Sequence, residues 1–160
     1  MKLATLGYIH RDEQTLMLHR NKKENDIHEG KWNGVGGKFE AGETPEECMI
    51  REIHEETGLI ARNPVMRGMI TAPLFAGGED WYIWVYDVYE FDGELIECSE
   101  GDLEWIEDSR VLSLNLWEGD RHFISWMREG RFFSGKFVYE DGELISYSGV
   151  FHDSMNSNGL

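Results

Sequence analysis

Cysteine is scarce in this chain, and so is positive charge. The 160 residues include two cysteines, Cys48 and Cys98, which are too few for a disulfide framework and have no metal-binding spacing. Such sparse cysteine is typical of a protein from a reducing compartment. The composition, with 41% hydrophobic and 12% aromatic residues, excludes a disordered chain and indicates a folded domain.

Long hydrophobic runs are also missing. No stretch approaches the roughly 20 apolar residues that a membrane-spanning helix needs. The first residues, MKLATLGYIHRDEQ, contain too short an apolar segment for a secretory signal peptide. The sequence therefore predicts a cytoplasmic protein with no membrane partner.

The shortage of positive charge limits the partners that the protein can bind. Lysine and arginine total 15 against 31 aspartates and glutamates, which gives a formal net charge of −16. Such a surface repels polynucleotides and anionic membranes. It also repels a phosphorylated small molecule unless divalent cations neutralise the site. The charge balance therefore favours a metal-dependent small-molecule site over a nucleic-acid groove.

The length of the chain fits one domain, and no repeat or linker divides it. We expect a single domain over residues 1–151, as a monomer or a homodimer. Residues 152–160 are polar and are expected to form a frayed tail.

Three patterns outline the second half of the chain. The longest β-type run, Trp81 to Phe91, predicts a central strand. Apolar residues at helical spacing predict a last helix over Arg121 to Arg128, with Asp120 as its cap. Asp141-Gly142 is typical of a β-hairpin turn.

The most informative segment runs from Gly37 to Leu59, GKFEAGETPEECMIREIHEETGL. Thr44 is a typical helix N-cap, Pro45 suits the first helical position, and Glu47 stands where it closes a capping box. Gly58 suits the residue that ends a helix. The segment therefore predicts a helix of about three turns that follows a glycine-rich turn.

Three carboxylates, Glu52, Glu55 and Glu56, share one arc of this helix at about 100° per residue. Like charges at this spacing repel each other unless water or a cation screens them. Carboxylate oxygens suit Mg2+, which also bridges to substrate phosphates. We expect Mg2+ as the cofactor, with Mn2+ as a substitute. A solvated acidic surface is the alternative interpretation of the same residues.

This segment resembles the signature of the Nudix hydrolases at every fixed position. The matching residues are Gly37, Glu43, Arg51, Glu52, Ile53, Glu55, Glu56, Gly58 and Leu59. The resemblance implies an α/β fold, a Nudix-type α/β/α sandwich with a mixed β-sheet. It also implies metal-dependent cleavage of a nucleoside diphosphate linked to another group.

The same resemblance implies a role for each matching acid. Glu52, Glu55 and Glu56 correspond to metal ligands and catalytic residues, and Glu52 is the candidate for activating the attacking water. Arg51 would orient a carboxylate from behind the metal site. Glu43 would help to hold the turn that leads into the helix.

The glycine-rich turn supplies further candidates. Gly36, Gly37 and Lys38 are expected to contact the substrate, with Gly37 also offering its carbonyl to the metal, although glycines before a helix also serve turn geometry alone.

Many Nudix hydrolases draw one more metal-site carboxylate from a loop after the motif. Glu100 is our choice by position in that resemblance, with Glu97 and Glu104 as alternatives. Taken alone, each of these acids is expected to be solvated.

Two stretches, KWNGVGGKFEAGET and LWEGDRHFISWMREGRFFSGKFVYEDGELISYS, resemble the MutT-type diphosphatases that remove oxidised purine nucleoside triphosphates. In that subgroup an asparagine before the motif and a Trp-x-x-Asp segment hold the purine. The corresponding residues are Asn33, Trp117 and Asp120. An amide offers a donor and an acceptor, a carboxyl group accepts or donates, and an indole stacks on a base. Gly119 departs from the mammalian-type members, which carry a second aspartate, so base recognition is expected to be looser or differently tuned.

Each of these three residues has an ordinary structural alternative. Trp117 would be a buried aromatic, Asn33 a turn former and Asp120 a helix cap. The six histidines show no ligand spacing, so none is assigned to catalysis. Phe75 and Trp81 are expected in the core rather than in the pocket.

The sequence thus predicts hydrolysis of an oxidised purine nucleoside triphosphate, such as 8-oxo-dGTP, to the monophosphate and pyrophosphate, which cleanses the nucleotide pool. Two alternatives stay open. One is a Nudix hydrolase of another nucleotide, such as a dinucleoside polyphosphate or a nucleotide sugar. The other is a Nudix-fold module that senses a nucleotide without cleaving it. The intact carboxylates argue against the sensor, and the purine-type residues argue against the nucleotide sugar.

Overall fold

A mixed β-sheet forms the centre of the molecule. The computed structural model describes residues 1–152. The strands are β1 (Lys2–Arg11), β2 (Gln14–His19), β3 (Trp32–Asn33), β4 (Val35–Lys38), β5 (Ile60–Arg62), β6 (Val65–Ala76), β7 (Glu79–Val88), β8 (Glu90–Asp92), β9 (Asp102–Glu107), β10 (Phe133–Glu140) and β11 (Glu143–Phe151). The helices are α1 (Pro45–Thr57), α2 (Asp108–Val111) and α3 (Glu118–Arg128).

The main sheet has nine strands in the order β11-β10-β6-β7-β1-β2-β3, with β4 paired to β1 and β9 paired to β2. The pairs β1–β7 and β6–β10 are parallel, and the other pairs of this sheet are antiparallel. The expected mixed sheet is therefore confirmed. Strands β5 and β8 form a separate antiparallel pair.

Two apolar clusters lie on opposite faces of the sheet, because side chains along a strand alternate between its faces. On one face, Met49 and Ile53 of α1 pack on Ile9 and Leu16. On the other face, Phe123 and its neighbours on α3 pack on strands β1, β6, β7 and β10. The helices thus cover both faces, which confirms the α/β/α sandwich.

Helix α1 begins and ends where the sequence predicts. The Thr44 hydroxyl accepts the Glu47 N–H at 3.1 Å, and the Glu47 carboxylate accepts the Thr44 N–H at 2.9 Å. Pro45 is the first helical residue, and Gly58 ends the helix in the left-handed conformation, with φ of 82°. These caps fix the helix axis, and the axis fixes the direction in which its glutamates project.

Two predicted elements differ from the structure. The strand over Trp81 to Phe91 does occupy a central position, between β6 and β1, but it leaves the main sheet at Tyr89. Residues Glu90–Asp92 pair instead with β5, where Phe91 stacks on Trp105 at 5.9 Å between ring centroids. A long apolar run shows no sign of this break, because the second sheet also buries apolar side chains.

The last helix also differs, because it begins at Glu118 and not at Arg121. Trp117 is therefore its N-cap residue, and the prediction that Asp120 caps the helix is wrong. Asp120 lies in the first helical turn, where its backbone N–H donates to the Trp117 carbonyl at 3.0 Å. In this position Asp120 is half-buried.

The expected domain over residues 1–151 stays a prediction. Of the expected tail, residues 153–160 lie outside the described residues. Among residues 1–152, no helix is both long and apolar enough to cross a membrane.

The capping box gives a stability prediction. Thr44→Ala removes the oxygen that accepts the Glu47 N–H, so the free energy of unfolding should fall by about 1 kcal/mol. Thr44→Ser keeps the hydroxyl and is the matched control. Urea unfolding measures both variants, and equal stability for alanine and serine would contradict a contribution from this cap.

Candidate active site

A cleft of about 480 Å³ lies between the glycine-rich turn, helix α1 and the start of α3. Most of the residues that the sequence analysis singled out line it. They are Asn33, Gly36, Gly37, Lys38, Glu52, Glu56, Glu100, Trp117 and Asp120. Residues far apart in the chain thus meet in one place. Glu52, Glu56 and Glu100 lie close to one another and form what we call the carboxylate end, and the mutually contacting rings of Phe75, Trp117 and Tyr139 form the aromatic end.

Arg51 lies behind the cleft and joins the helix to the turn before it. Its guanidinium donates to both oxygens of Glu43, at 2.6 and 2.9 Å, and to the carbonyl of Lys38 at 2.9 Å. It also donates to Glu52 at 2.8 Å and to Glu55 at 3.2 Å. The hydrogen bonds from Arg51 lower the pKa of Glu43 to about 2, so Glu43 stays ionised and the connection persists in mild acid.

Glu52 and Glu56 project into the cleft from α1. Burial raises the pKa of Glu52. Burial, together with the nearby charges of Glu100 and Glu52, raises the pKa of Glu56 to about 8. Glu56 Oε2 also accepts the backbone N–H of Gly36 at 3.2 Å, so this amide is occupied by the protein and not free for a phosphate.

Gly37 allows the backbone of the turn to approach the Glu52 carboxylate closely. A Cβ atom at this position would lie 2.5 Å from Glu52 Oε2, which no ordinary contact allows. The glycine therefore lets the turn pass directly beside the carboxylate.

The remaining candidate acids differ in whether they line the cleft or are exposed at the surface. Glu100 lines the cleft, with Lys23 at 3.1 Å and Arg20 at 3.7 Å from its oxygens. Its alternatives Glu97 and Glu104 are exposed at the surface. Glu55, which was expected beside Glu52 and Glu56, is 55% exposed and does not line the cleft. It contacts Arg51 instead, because its place on the helix turns it toward the guanidinium.

The carboxylate end of the cleft fits a divalent cation. Its donors are hard oxygens, and Glu56, Glu52 and Glu100 lie close enough to repel each other, a repulsion that a cation would relieve. Among residues 1–152, no group of three or more acidic, histidine or cysteine side chains is placed so that it could hold a metal ion on its own. A cation such as Mg2+ keeps several waters and shares its coordination with substrate phosphates, so it needs fewer protein ligands.

Aromatic rings form the other end of the cleft. Trp117 is 5% exposed and makes edge contacts with Phe75 and Tyr139, at 5.0 and 5.2 Å between centroids. Asn33 is 8% exposed, and its side-chain amide makes no hydrogen bond with residues 1–152. An amide that lines a cleft without a partner is available to a ligand.

Asp120 lines the cleft from the first turn of α3, near Tyr139. Its side chain reaches the surface of the cleft, so it is only partly shielded from solvent. Burial raises its pKa to about 7, while the charges of Lys31 and Arg121 act in the opposite direction. Near neutral pH this carboxyl group is therefore present in both its donor and its acceptor form.

Gly119 explains the departure from the two-aspartate pattern. The Gly119 N–H donates to the Tyr139 hydroxyl at 2.7 Å. A Cβ atom at Gly119 would lie 2.6 Å from that hydroxyl oxygen and 2.8 Å from Phe137. Tyr139 thus occupies the space that a side chain at position 119 would need.

The structure adds residues that the sequence analysis did not assign. Arg20, His28 and Tyr139 line the cleft, and so do Phe75 and Trp81, which were expected in the core. Arg20 and His28 stand in or beside a charged loop without a recognisable pattern. The pairing of β2 with β3 and hydrogen bonds to distant residues, such as that from Trp117 to His28, bring the loop to the cleft.

Comparisons with known proteins agree with this architecture. The chain is 30% identical over 142 residues to an uncharacterised Nudix hydrolase of Bacillus subtilis, YvcI, which covers 85% of this chain and 86% of the relative. It is 26% identical over 148 residues to the oxidized purine nucleoside triphosphate hydrolase of Mus musculus, which covers 92% and 93% of the two chains.

Solved structures give the same result. The fold superimposes on the MutT protein of Bacillus halodurans with a TM-score of 0.82 and 31% identity, over 93% of this chain and 97% of that one. The model of the NUDIX domain matches residues 1–127. With the signature helix, the cleft and these matches together, the chain belongs to the Nudix hydrolase family.

Proposed function

We propose that the protein hydrolyses an oxidised purine nucleoside triphosphate, such as 8-oxo-dGTP, to the monophosphate and pyrophosphate in a Mg2+-dependent reaction. The observation that carries the proposal is the division of one cleft into two ends. Three carboxylates gather at one end, and an amide, an indole and the half-buried carboxyl group of Asp120 line the other. A nucleoside triphosphate has the same division into a charged and an aromatic part.

The carboxylate end would bind the phosphates. Glu52, Glu56 and Glu100 would hold Mg2+, with the Gly37 carbonyl beside them, and Glu55 would join if its side chain turned inward. Bound Mg2+ neutralises phosphate charge and favours ionisation of the attacking water. Glu52 is our candidate for accepting the proton of that water. Lys38 directly follows the glycine turn in the chain and is our candidate for contacting the substrate.

The aromatic end would bind the base. An 8-oxo purine differs from the normal purine by a carbonyl and an N–H, so selectivity requires pocket groups that the wrong base leaves unpaired. Asn33 and Asp120 both offer donors and acceptors, and Asp120 does so near neutral pH because its pKa is about 7. Trp117 supplies an aromatic surface against the base.

The relatives support the same substrate class. The mouse relative is named for oxidised purine nucleoside triphosphates, and another, from Mycobacterium tuberculosis, is named as a putative 8-oxo-dGTP diphosphatase and is 32% identical over 104 residues. The net charge of −16 supports a small nucleotide rather than a polynucleotide as the substrate.

Pyrophosphate release across a nucleotide panel tests the proposal. With Mg2+, 8-oxo-dGTP should give the highest kcat/KM, ahead of dGTP and dCTP. Preference for a dinucleoside polyphosphate or a nucleotide sugar would replace the proposed substrate. Binding without turnover would favour a nucleotide sensor instead.

Glu56→Gln tests the carboxylate end. The substitution keeps the shape of the side chain but removes the charge of a proposed metal ligand, so kcat should fall by about a hundredfold or more at saturating Mg2+. Near-normal turnover of the folded variant would reject Glu56 as a ligand. Circular dichroism of the variant serves as the check on folding.

Glu100→Gln and Glu104→Gln form a matched pair in neighbouring segments. Glu100 lines the cleft and Glu104 is exposed, so the first variant should need at least about tenfold more Mg2+ for half-maximal activity. The second should behave like the wild type. Equal Mg2+ requirements for all three proteins would remove Glu100 from the proposed site.

Asp120→Asn tests the burial of this carboxyl group. Because burial raises its pKa to about 7, the folded protein binds the proton more tightly than the unfolded chain, and its contribution to stability is lost as the pH rises through 7. Asparagine has no charge to bury. The gain in unfolding free energy over the wild type should therefore be about 2 kcal/mol larger at about pH 8 than at about pH 5.

Asp141→Asn in the exposed turn between β10 and β11 is the matched control for this measurement. It changes the same functional group at a position without burial, so its effect on stability should not vary with pH. A pH-independent effect of Asp120→Asn as well would show that Asp120 is not held in an unfavourable ionised state.

A further inference from the structure

His28 lies in the charged loop between β2 and β3, and its ring lines the aromatic end of the cleft. The Trp117 indole Nε1–H donates to His28 Nδ1 at 2.7 Å. The two rings meet edge to face at 5.6 Å between centroids, and Phe75 lies 6.0 Å from the imidazole. His28 is thus part of the same aromatic group as Trp117.

The bond to Trp117 determines which imidazole nitrogen carries the hydrogen. An indole N–H can only donate, so Nδ1 must be an acceptor without a hydrogen. The ring is then neutral, and its hydrogen is on Nε2. Burial of the ring lowers the pKa of His28 to about 4, which agrees with a neutral imidazole across the physiological range.

The backbone around His28 holds the ring in place. The His28 N–H donates to Asp26 Oδ1 at 3.2 Å, and the His28 carbonyl accepts the Lys31 N–H at 2.8 Å. Asp26 is in turn paired with Arg20 at 2.7 Å. The loop therefore presents the imidazole in a fixed orientation before any ligand binds.

The Nε2–H donor has no hydrogen-bond partner among residues 1–152. It belongs to a ring that lines the cleft beside Trp117 and Phe75, which are expected to contact the base. The charges of Arg20, Asp26 and Glu100 also act on this ring. A neutral donor between aromatic rings matches an uncharged acceptor atom, a carbonyl oxygen or a ring nitrogen, better than it matches a phosphate.

We propose that His28 is a specificity-determining residue of the base site, in which its Nε2–H donates to an acceptor atom on the edge of the purine while Trp117 fixes that tautomer. This inference rests on the proposed function. It adds to that function a donor whose orientation is set before binding. It also gives Trp117 a second role, since the indole both faces the base and orients the imidazole.

Two variants at position 28 distinguish the contribution of the Nε2–H donor from that of the aromatic ring. His28→Phe keeps an aromatic ring without nitrogen, and kcat/KM for 8-oxo-dGTP should fall by about tenfold to a hundredfold relative to that for dCTP. The loss should lie mainly in KM, because the carboxylate end is untouched. His28→Gln restores a donor near the position of Nε2 and should recover part of the purine preference.

His122→Phe is the matched control. His122 stacks on Tyr147 at 3.8 Å between centroids and does not line the cleft. The His122→Phe substitution makes the same chemical change elsewhere on the protein. It should leave the preference for purine over pyrimidine as in the wild type.

A measurement without turnover tests the tautomer. In the 15N-histidine-labelled wild type at neutral pH, the His28 resonances should show hydrogen on Nε2 only, and addition of 8-oxo-dGMP should shift the Nε2 resonance. Hydrogen on Nδ1, a charged ring, or an Nε2 resonance that does not respond would overturn the inference, even if the variants at position 28 do not fold.

The outcomes also distinguish the two proposals. A wild type without any purine preference would overturn the proposed function and the role of His28 with it. A purine preference that survives unchanged in His28→Phe would overturn only the role of His28.

Discussion

The site depends on the hydrogen bonds of one guanidinium. Arg51 connects Glu43 and the Lys38 carbonyl, on the turn, with Glu52 on the helix. The hydrogen bond from the Gly36 N–H to Glu56 is a second link between the turn and the helix, but Arg51 makes the larger number of bonds. Because arginine stays charged at any physiological pH and the pKa of Glu43 is lowered to about 2, the hydrogen bonds between Arg51 and Glu43 persist even where Glu52 is protonated.

Burial opposes charge at both ends of the cleft, but the neighbouring groups differ. At the carboxylate end, burial and the repulsion between neighbouring acids together raise the pKa of Glu56, and a divalent cation would offset both effects. At the aromatic end, burial keeps His28 neutral and holds Asp120 near the midpoint of its titration. The carboxylate end is thus suited to a cation, and the aromatic end is suited to hydrogen bonds with an uncharged base.

Much of the fold and of the candidate site could be predicted from the sequence, because the informative signals are local. The caps of α1 and the spacing of its glutamates fall within one segment, and both hairpin and helix patterns act over a few residues. Glu55 shows the limit of that reasoning. It shares an arc with Glu52 and Glu56, but a neighbouring arginine on the same helix draws it out of the cleft.

Other features depend on contacts between distant segments, which no local pattern contains. The pairing of β2 with β3 helps to bring His28 to the site, and its hydrogen-bonding role depends on Trp117, 89 positions later. The early start of α3 likewise depends on packing of its first turn against β10. Sequence periodicity gave the apolar face of that helix but not its first residue.

The contact between Gly119 and Tyr139 restricts how this cleft can change over time. An aspartate at position 119 cannot be accommodated while the phenol ring occupies its space, and loss of the phenol oxygen leaves the Gly119 N–H without its acceptor. Each substitution made alone is therefore expected to destabilise the protein, the first by a clash with Tyr139 and Phe137 and the second by loss of an acceptor. We expect epistasis between positions 119 and 139, since the cost of an aspartate at one depends on the side chain at the other.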